Sequence, residues 1–409
     1  MKGTHVDHPS DAVFTDAYRQ DPYPLYARMR AEEPVAWAPA LNAFLVTREA
    51  DVATVLRDTA TFSSDRVTLA RDRFDAAYAP LFDVLALILL QRDGADHKRL
   101  RNLLHAAFKR TAVATYETNV RALAERLLEA APAEGRFAYK RHFAVPLPIL
   151  VISEIVGIPP EDRDQVKAWC DDFSVVALNF YAKISQDALD RGLASVLAFR
   201  AYLVQRIATL TESDTSLLNS LVHAEADGGR LTPHELLANV LLLLNAGNET
   251  TTVLLTNGLH RLLTTPGALA RLRAERTLIP DAVEEMLRYD APVQFIGRVA
   301  TKDTALGDTA IPAGTVVLVF LGSAGRDERA TPSPDTFDIN RSAPHHLAFG
   351  HGPHVCAGLQ LARLEGKIAF ESLLDTFDDI RLADEEIPIA PNNNLRSVTE
   401  LPLIVRKRP

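Results

Sequence analysis

Helical periodicity dominates the pattern of apolar and polar residues along the chain. Residues 120–131 and 193–210 carry apolar side chains at spacings of three and four, which is typical of amphipathic helices. Strand-like runs are fewer and shorter, at residues 43–47 and 315–321. We find no linker or composition shift that would divide the chain. The pattern predicts one domain over residues 1–409, mainly α-helical, with small β-sheets that begin on the N-terminal side.

One predicted helix is unusually long. Thr232 and Glu235 match a capping box, with Pro233 at the first helical position. The apolar pattern then continues to Leu263, and a Pro-Gly pair supplies the stop. About 30 residues at a rise of about 1.5 Å each give a length of roughly 45 Å. We expect this helix to cross the whole molecule.

The middle of this predicted helix is unfavourable for a helix. Residues 245–252 read Asn-Ala-Gly-Asn-Glu-Thr-Thr-Thr. An interior glycine costs on the order of 1 kcal/mol relative to alanine, and threonine hydroxyls compete for backbone carbonyls. Two interpretations are open. Either a core helix is kinked around a solvated bulge, or Ala246 and Gly247 clear space for a flat ligand, with the acid Glu249 and the hydroxyl of Thr250 beside it.

The composition is that of an ordinary globular protein. Apolar residues make up 47% and charged residues 24%, and the net charge of −9 disfavours a general nucleic-acid binder. Only two cysteines occur, Cys170 and Cys356, so a disulfide framework is not expected. The first residues lack the apolar core of a signal peptide, and the densest apolar run, residues 84–90, is far below the ~20 residues that span a bilayer. We expect a cytoplasmic protein without a membrane anchor.

The surroundings of Cys356 suit a metal-binding thiolate. Residues 349–358 read Phe-Gly-His-Gly-Pro-His-Val-Cys-Ala-Gly, and the glycines permit a tight turn and the close approach of a bulky group. Since a helical pattern follows, the sulfur lies at or just before a helix N-terminus. Positive potential there favours the thiolate relative to a free pKa of about 8.5. This arrangement suits ligation of iron.

Two other roles are open to Cys356. A lone cysteine is most often a small, buried apolar residue. Zinc binding is the second alternative, because His345, His346, His351 and His354 lie nearby in the sequence. Against zinc, the paired CxxC or HxxxH spacing that such sites favour is absent from this cluster.

Three segments together resemble the cytochrome P450 family. Residues 349–358 match its haem-binding loop, Phe-x-x-Gly-x-His/Arg-x-Cys-x-Gly, at every defined position. Residues 246–251 resemble its oxygen-activation motif, and Glu285 with Arg288 fit its Glu-x-x-Arg. The resemblance covers essentially the whole chain and implies the cytochrome P450 fold, with a long central helix across a buried haem b. One departure is Ala-Gly-Arg-Asp-Glu at residues 324–328, where many bacterial relatives have Ala-Asn-Arg-Asp-Pro.

The resemblance also implies roles for individual residues. Cys356 would be the single protein ligand of the haem iron, and Phe349 would pack against the haem near the sulfur. Thr250 and Glu249 would order water and deliver protons to oxygen. The other implied haem contacts are the propionate-binding His97, Arg101, Arg298 and His354, and the closely approaching Ala246, Gly247 and Gly358. The implied ion-pair scaffold behind the haem consists of Glu285, Arg288 and Arg341.

The implied activity is that of a monooxygenase, which inserts one oxygen atom from O2 into a C–H or C=C bond. Electrons would come from NAD(P)H through a separate ferredoxin or flavodoxin, and a monomer is expected. The partner would dock on the basic run that contains Arg101, Lys109 and Arg110. Two alternatives remain open: a peroxygenase that uses hydrogen peroxide directly, and a non-catalytic haem-binding or sensor protein. The Glu249–Thr250 pair argues against the peroxygenase.

The substrate implied by the resemblance is a medium-sized hydrophobic molecule, such as a terpenoid, fatty acid, steroid or polyketide. Two polar contacts to it are predicted, at Asn245 and Gln294. The predicted pocket walls are Leu85, Phe180, Leu242, Ala246, Phe295 and Val398.

Overall fold

The computed structural model describes residues 9–71, 73–105, 108–177, 184–226 and 229–409, most of which lie in helices. The helices are α1 Asp16–Gln20, α2 Tyr23–Glu32, α3 Glu49–Arg57, α4 Val67–Arg71, α5 Ala79–Leu87, α6 Gly94–His105, α7 Arg110–Thr115, α8 Glu117–Glu129, α9 Pro146–Val156, α10 Arg163–Ala177, α11 Gln186–Ala208, α12 Leu217–His223, α13 Pro233–Ala246, α14 Glu249–Thr264, α15 Ala268–Ala274, α16 Ile279–Tyr289, α17 Leu321–Ala324 and α18 Leu359–Thr376. In the described residues, no helix is both long and apolar enough to span a bilayer.

The strands are short and form small sheets. They are β1 Val35–Ala38, β2 Ala43–Val46, β3 Phe62–Ser63, β4 Glu134–Ala138, β5 Glu225–Ala226, β6 Gly229–Arg230, β7 Ile296–Ala300, β8 Thr304–Leu306, β9 Thr309–Ile311, β10 Val316–Val319, β11 Phe377–Leu382 and β12 Pro402–Lys407. One sheet has the order β1-β2-β10-β7-β3, another β11-β12-β4, and β5–β6 and β8–β9 are two-stranded. The predicted strands at residues 43–47 and 315–321 are confirmed as β2 and β10, and the predicted mainly helical fold is confirmed as well.

The chain divides into two compact units. The first contains the described parts of Met1–Phe62, Glu117–Leu147 and Thr250–Pro409, and the second contains those of Ser63–Tyr116 and Pro148–Glu249. Because the chain passes between the units more than once, each is built from segments that are distant in sequence.

The core of the first unit lies around its five-stranded sheet. Val46 of β2 and Val317 and Val319 of β10 are fully buried in one cluster with Val55 and Leu56 of α3. These strands read as continuous apolar runs because both of their faces are covered. Strand β10 runs parallel to β2 and antiparallel to β7. In the order of this sheet, β7 lies between β10 and β3.

The second unit contains α13, whose start agrees with the prediction. The Thr232 hydroxyl accepts the Glu235 amide at 3.2 Å, and the Glu235 carboxylate accepts the Thr232 amide at 2.9 Å. Glu235 also forms an ion pair with Arg99 of α6. Asn239 is fully buried, and its amide oxygen accepts the backbone amide of Leu89 at 2.9 Å. Polar side chains of α13 therefore fix its position against the segments around α5 and α6.

The predicted helix over residues 232–263 is present, but it is interrupted in its middle, where the sequence pattern is unfavourable for a helix. Helix α13 ends at Ala246, and α14 begins at Glu249. At the break, the Gly247 amide donates to Leu243 at 3.2 Å, and the Asn248 amide donates to the Asn245 carbonyl only three residues back at 3.3 Å. The unfavourable residues recognised in the sequence therefore end one helix and start another, instead of only bending it.

A buried cluster of one acid and three arginines lies in the first unit. Asp290 is 5% exposed and lies 3.0 Å from Arg396 and 3.6 Å from Arg261. The Tyr23 hydroxyl donates to Asp290 at 2.7 Å, and the Arg326 guanidinium stacks 3.3 Å from the centre of the Tyr23 ring. Burial alone would raise the pKa of Asp290, but the three arginines outweigh it and hold the pKa below its ordinary value.

Residues 324–328 differ from the pattern of many bacterial relatives, but contacts with Arg288 and Glu49 hold this segment in place. A side chain on Gly325 would collide with the carbonyl oxygen of Arg288, so glycine suits this close approach. The Asp327 carboxylate accepts the Glu49 amide at 2.8 Å and so caps α3.

We predict that Asp290→Asn destabilises the protein by about 3–5 kcal/mol, because it leaves the buried Arg396 without its carboxylate and removes the negative charge beside Arg261 and Arg326. Denaturant unfolding measures this change in the free energy of unfolding. The control is Asp335→Asn, since Asp335 also pairs with Arg326 but its side chain is 68% exposed. We expect the control to cost less than about 1 kcal/mol, and equal effects of the two substitutions would contradict the prediction.

Candidate active site

The loop before α18 is tightly closed. Gly350 and Gly352 have φ values of +73° and +72°, which favour glycine. A Cβ on Gly352 would also lie only 2.8 Å from the carbonyl oxygen of Leu56 at the end of α3. The Cys356 amide donates to the Phe349 carbonyl at 2.8 Å, which closes the loop. The backbone around Cys356 is therefore held by its own turn and by α3.

The two cysteines lie in contrasting environments. Cys170 is buried in α10, and burial raises the pKa of its thiol to about 12. Cys356 is partly exposed and lies three residues before Leu359, the first residue of α18, with Gly358 as the N-cap. The prediction that Cys356 precedes a helix N-terminus is confirmed. Unlike Cys170, it lies where a thiolate is favourable and accessible.

The residues around Cys356 fit a haem group. Close to Cys356 in the sequence, the apolar side chains of Phe349, Val355, Ala357 and Leu359 are all partly exposed, although apolar residues are usually covered. One soft thiolate beside a partly exposed apolar rim suits a flat apolar group with a central iron. Within the part of the chain that the structure describes, no group of three or more His, Cys, Asp and Glu side chains is placed to hold a metal ion together.

The predicted ion-pair scaffold is present and deeply buried. Glu285 and Arg288 of α16 have no exposed side-chain surface and are joined by bonds of 2.6 and 2.8 Å. Arg288 also donates to the carbonyls of Gly325 and Pro334 at 2.8 and 2.9 Å. Arg341 lies 3.3 Å from Glu285. The Glu-x-x-Arg segment therefore ties α16 to the loops that lead to the cysteine.

The four residues predicted to bind the haem propionates lie on α6, on β7 and in the cysteine loop. Arg298 is 4% exposed at the middle of β7, opposite Val317 of β10. In the same unit, His354 is partly exposed in the cysteine loop. In the second unit, His97 is 4% exposed and Arg101 partly exposed, one turn apart on α6.

Two comparisons with known proteins decide the family. The family model described as Cytochrome P450 matches residues 138–404. Cytochrome P450 107B1 of Saccharopolyspora erythraea is 39% identical over 384 residues, which cover 92% of each chain. The chain belongs to the cytochrome P450 family.

Further relatives agree with this assignment. Vitamin D(3) 25-hydroxylase of Pseudonocardia autotrophica is 36% identical over 402 residues, which cover 97% of this chain and 96% of that one. The solved structure of PksS, the bacillaene polyketide synthase cytochrome P450 of Bacillus subtilis 168, matches with a TM-score of 0.86 at 32% identity, covering 98% of this chain and 100% of that one. The protein is thus a cytochrome P450 monooxygenase.

The oxygen-activation motif of this cytochrome P450 lies at the break between α13 and α14. Ala246 is exposed, whereas the space beside Gly247 is taken by Ile152 of α9, which lies 3.1 Å from where a Cβ would be. Thr250 is partly exposed, but the next residue, Thr251, is only 3% exposed. Thr252 is also buried, and its hydroxyl donates to the Ala144 carbonyl at 3.0 Å. Of the three consecutive threonines, Thr250 is the most accessible.

The structure does not support the predicted substrate contact by Gln294. This side chain is 1% exposed, and both ends of its amide have partners in the protein. The oxygen accepts the Tyr26 hydroxyl at 3.1 Å, and the nitrogen donates to Ala291 at 2.7 Å. Its close approach to Gly322 leaves no room for a larger residue there. Gln294 is a structural residue of the first unit.

Phe295 packs in an aromatic cluster of the first unit, and its role as a pocket wall stays a prediction. It is 4% exposed, and its ring packs 5.2 Å from Phe14 and 5.4 Å from Phe320, centroid to centroid. Its backbone amide donates to Asn394 at 3.1 Å. The sequence pattern could not separate this aromatic core from a ligand pocket, because both favour the same residue type.

The remaining predicted pocket residues have mixed surroundings. Asn245 is partly exposed, and its amide nitrogen donates to the Cys170 carbonyl at 3.1 Å. Leu85 is fully buried, whereas Leu242 is 8% exposed and Val398 is 1% exposed. Phe180 lies outside the described residues.

Sequence reasoning missed a second acid next to the Glu-x-x-Arg motif. Glu284 of α16 binds Arg363 of α18 through two contacts of 2.7 Å, and it lies 3.2 Å from His346. The sequence did contain a signal for this residue, because two acids, Glu284 and Glu285, stand next to each other on one predicted helix. Adjacent residues of a helix point in different directions, so Glu284 cannot share the partners of Glu285 and needs its own.

A further missed residue is Glu365 of α18. It is 2% exposed, and one carboxylate oxygen, Oε2, has no hydrogen-bond partner among the described residues. Burial raises the pKa of Glu365 from its ordinary 4.5 to about 8. Burial therefore favours the protonated form of Glu365 at neutral pH.

We predict that Glu365→Gln becomes increasingly stabilising as the pH rises from 4.5 to 8. Over this range the unfolded wild-type chain releases the proton that the folded protein keeps, so the stability of the wild type falls as pH rises. Glutamine has no proton to release, so the variant does not lose stability in this way. The loss in the wild type is on the order of a few kcal/mol. Thermal unfolding of both proteins across this range measures the difference, and parallel stability curves would contradict the prediction.

For Glu284→Gln we predict the opposite dependence of stability on pH. Burial alone would raise the pKa of Glu284, but hydrogen bonds from Arg363 and His346 outweigh it and lower the pKa from 4.5 to about 2. The stability that this carboxylate contributes is complete above pH 4.5 and is lost as the pH falls toward 2. The difference between wild type and Glu284→Gln should therefore shrink in that acidic range.

Proposed function

We propose that this cytochrome P450 holds haem b through Cys356 and inserts one oxygen atom from O2 into a C–H or C=C bond of a hydrophobic small molecule. The other oxygen atom leaves as water, with two electrons from NAD(P)H and two protons. The observation that carries the proposal is the partly exposed Cys356 on a closed loop before α18, within an apolar rim. Haem bound there would supply the activation of O2.

The chain itself would hold and orient this group. Helix α18 favours the thiolate form of Cys356 because its N-terminus carries positive potential. Arg298 and His354 would bind the haem propionates from the first unit, since cationic and donor side chains suit carboxylates. His97 and Arg101 are proposed for the same task, because one turn of α6 separates them and both can act together.

Phe349 and three small residues complete the proposed haem contacts. The Phe349 ring would pack near the sulfur, and its partial exposure supports this. The exposed Ala246 and the N-cap residue Gly358 present little side-chain bulk to a flat ligand. Gly247 would contribute through its backbone, since Ile152 occupies its side-chain position.

Proton delivery is proposed for Glu249 and Thr250. The Glu249 carboxylate would take up protons from solvent, and the Thr250 hydroxyl would donate its proton toward the haem site as it accepts another from Glu249. Thr250 suits this role because it keeps partial exposure while Thr251 and Thr252 are buried.

The proposed substrate is a natural product or a steroid-like molecule. Two relatives support this class by their names, a vitamin D(3) hydroxylase and a polyketide synthase cytochrome P450. Leu85, Leu242, Ala246, Phe295 and Val398 remain as proposed apolar contacts. Asn245 remains as a polar contact, although its amide nitrogen already donates to a backbone carbonyl. A pocket with apolar walls and few polar groups suits such molecules.

We further propose a separate ferredoxin or flavodoxin as electron donor. Lys109 and Arg110 are exposed and Arg101 is partly exposed, so they could attract an acidic partner. Arg99 should attract an acidic partner less strongly than these residues, because an ion pair with Glu235 already offsets its charge.

The central test is the spectrum of the reduced, haem-supplemented protein under carbon monoxide. We expect a thiolate-type spectrum for the wild type and its loss in Cys356→Ala, because the substitution removes the only proposed ligand. Cys170→Ala is the control, since this buried thiol lies in the second unit, and it should keep the spectrum. A wild type without a thiolate-type spectrum would show that the proposed function is wrong.

Thr250→Ala tests the use of O2. Loss of the proposed proton-carrying hydroxyl should lower the product formed per NAD(P)H consumed by about tenfold or more. The measurement compares NADPH oxidation with product in a reconstituted system. Thr251→Ala removes the same hydroxyl group from the buried neighbouring residue. In this variant, NADPH oxidation should stay coupled to product formation. If NADPH oxidation in Thr250→Ala stayed fully coupled to product formation, the result would favour the alternative of a peroxygenase that uses hydrogen peroxide directly.

A further inference from the structure

Glu284 joins three segments around the cysteine loop of the first unit. Its two carboxylate oxygens accept from Nε and one terminal nitrogen of Arg363, both at 2.7 Å. One of these oxygens also lies 3.2 Å from Nε2 of His346. Helix α16 is thereby connected to α18 and to the segment that precedes the loop. A two-bond contact between a guanidinium and a carboxylate fixes orientation as well as distance.

The hydrogen bonds of His346 fix its tautomer. Its Nδ1 lies 3.2 Å from the backbone amide of Ala348 and can only accept there. The proton of the neutral ring is therefore on Nε2, which donates to Glu284. The His346 side chain is 4% exposed, so solvent competes little for these bonds.

Both partners of Glu284 pack on Phe349. The Arg363 guanidinium carbon lies 5.0 Å from the centre of the Phe349 ring, and the His346 ring lies 5.8 Å from it. Phe349 in turn accepts the amide of Cys356 through its carbonyl at 2.8 Å. A chain of contacts therefore leads from Glu284 to the backbone that carries the sulfur.

Charge also connects this group to Cys356. The pKa of Arg363 is raised, first by its hydrogen bond to Glu284 and, more weakly, by the negative charge of Cys356. The cation of Arg363 thus acts on the sulfur across the loop. Glu284 offsets that cation, since it lies in direct contact with it.

We propose that Glu284 is a positioning residue that sets the electron-donating strength of the Cys356 thiolate, by holding Arg363 and His346 against Phe349 and by offsetting the charge of Arg363. The inference rests on the proposed function, because it assumes that Cys356 ligates haem iron. In the contacts that the structure describes for Glu284, its partners are Arg363 and His346, so it would act on the sulfur through them.

The test compares the reduction potential of haem-loaded Glu284→Gln with that of the wild type, by spectroelectrochemical titration. The substitution keeps the shape of the side chain and removes its negative charge. An uncompensated Arg363 then favours addition of an electron, so we expect a shift to a more positive potential. The reduced protein under carbon monoxide should also show a smaller thiolate-type fraction, because the support of Phe349 is weakened.

Glu371→Gln is the matched control. Glu371 lies on α18, the helix that carries Arg363, and it pairs with Arg121 at 2.7 Å, so Glu371→Gln changes the net charge by the same amount as Glu284→Gln. It is eight residues from Arg363, about 12 Å along the helix, where its effect on the sulfur is much smaller. Glu284→Asp keeps the charge and should bring the potential back toward the wild-type value. Equal shifts in Glu284→Gln and Glu371→Gln would overturn the inference.

Arg363→Lys provides a second test if Glu284→Gln does not fold. Lysine keeps the charge but cannot make the two-bond contact or stack flat on Phe349. We expect a reduced thiolate-type fraction in this variant, and an unchanged fraction would contradict the inference. Absence of the thiolate-type spectrum in the wild type would instead reject the proposed function, so the two failures are distinguishable.

Discussion

One backbone hydrogen bond, from the amide of Cys356 to the carbonyl of Phe349, closes the loop on which the proposed site depends. The bond is possible because two glycines adopt positive φ values within the loop and one of them approaches the end of α3. It fixes the cysteine backbone before α18 begins. The proposed chemistry of the sulfur therefore depends on a conformation that the loop maintains largely by itself.

Local rules explain which parts of the structure could be predicted from the sequence. The capping box at Thr232, the position of Cys356 before a helix and the Glu285–Arg288 pair all involve residues within a few positions of one another. Their geometry follows from one helical turn or one loop. The break after Ala246 was only half predicted, because the sequence showed that a helix was unfavourable there but not that it ends.

Long-range packing explains what could not be predicted. Gln294 and Phe295 were expected in a substrate pocket, yet their partners include Tyr26 and Phe14, more than 250 residues away in the sequence. A buried amide looks the same in a sequence whether it binds a ligand or a tyrosine. Glu284 was missed for a related reason, since its partner Arg363 lies on another helix.

Gly352 restricts how the cysteine loop can vary. Its φ of +72° disfavours any side chain, and a Cβ would in addition meet the backbone of Leu56 and Arg57 at 2.8–2.9 Å. These two penalties are independent, so relaxing either one would leave the other in place. A neighbouring helix thus limits the amino acid at this position to one choice, and sequence drift in α3 cannot relieve the constraint, because the obstacle is main chain rather than side chain.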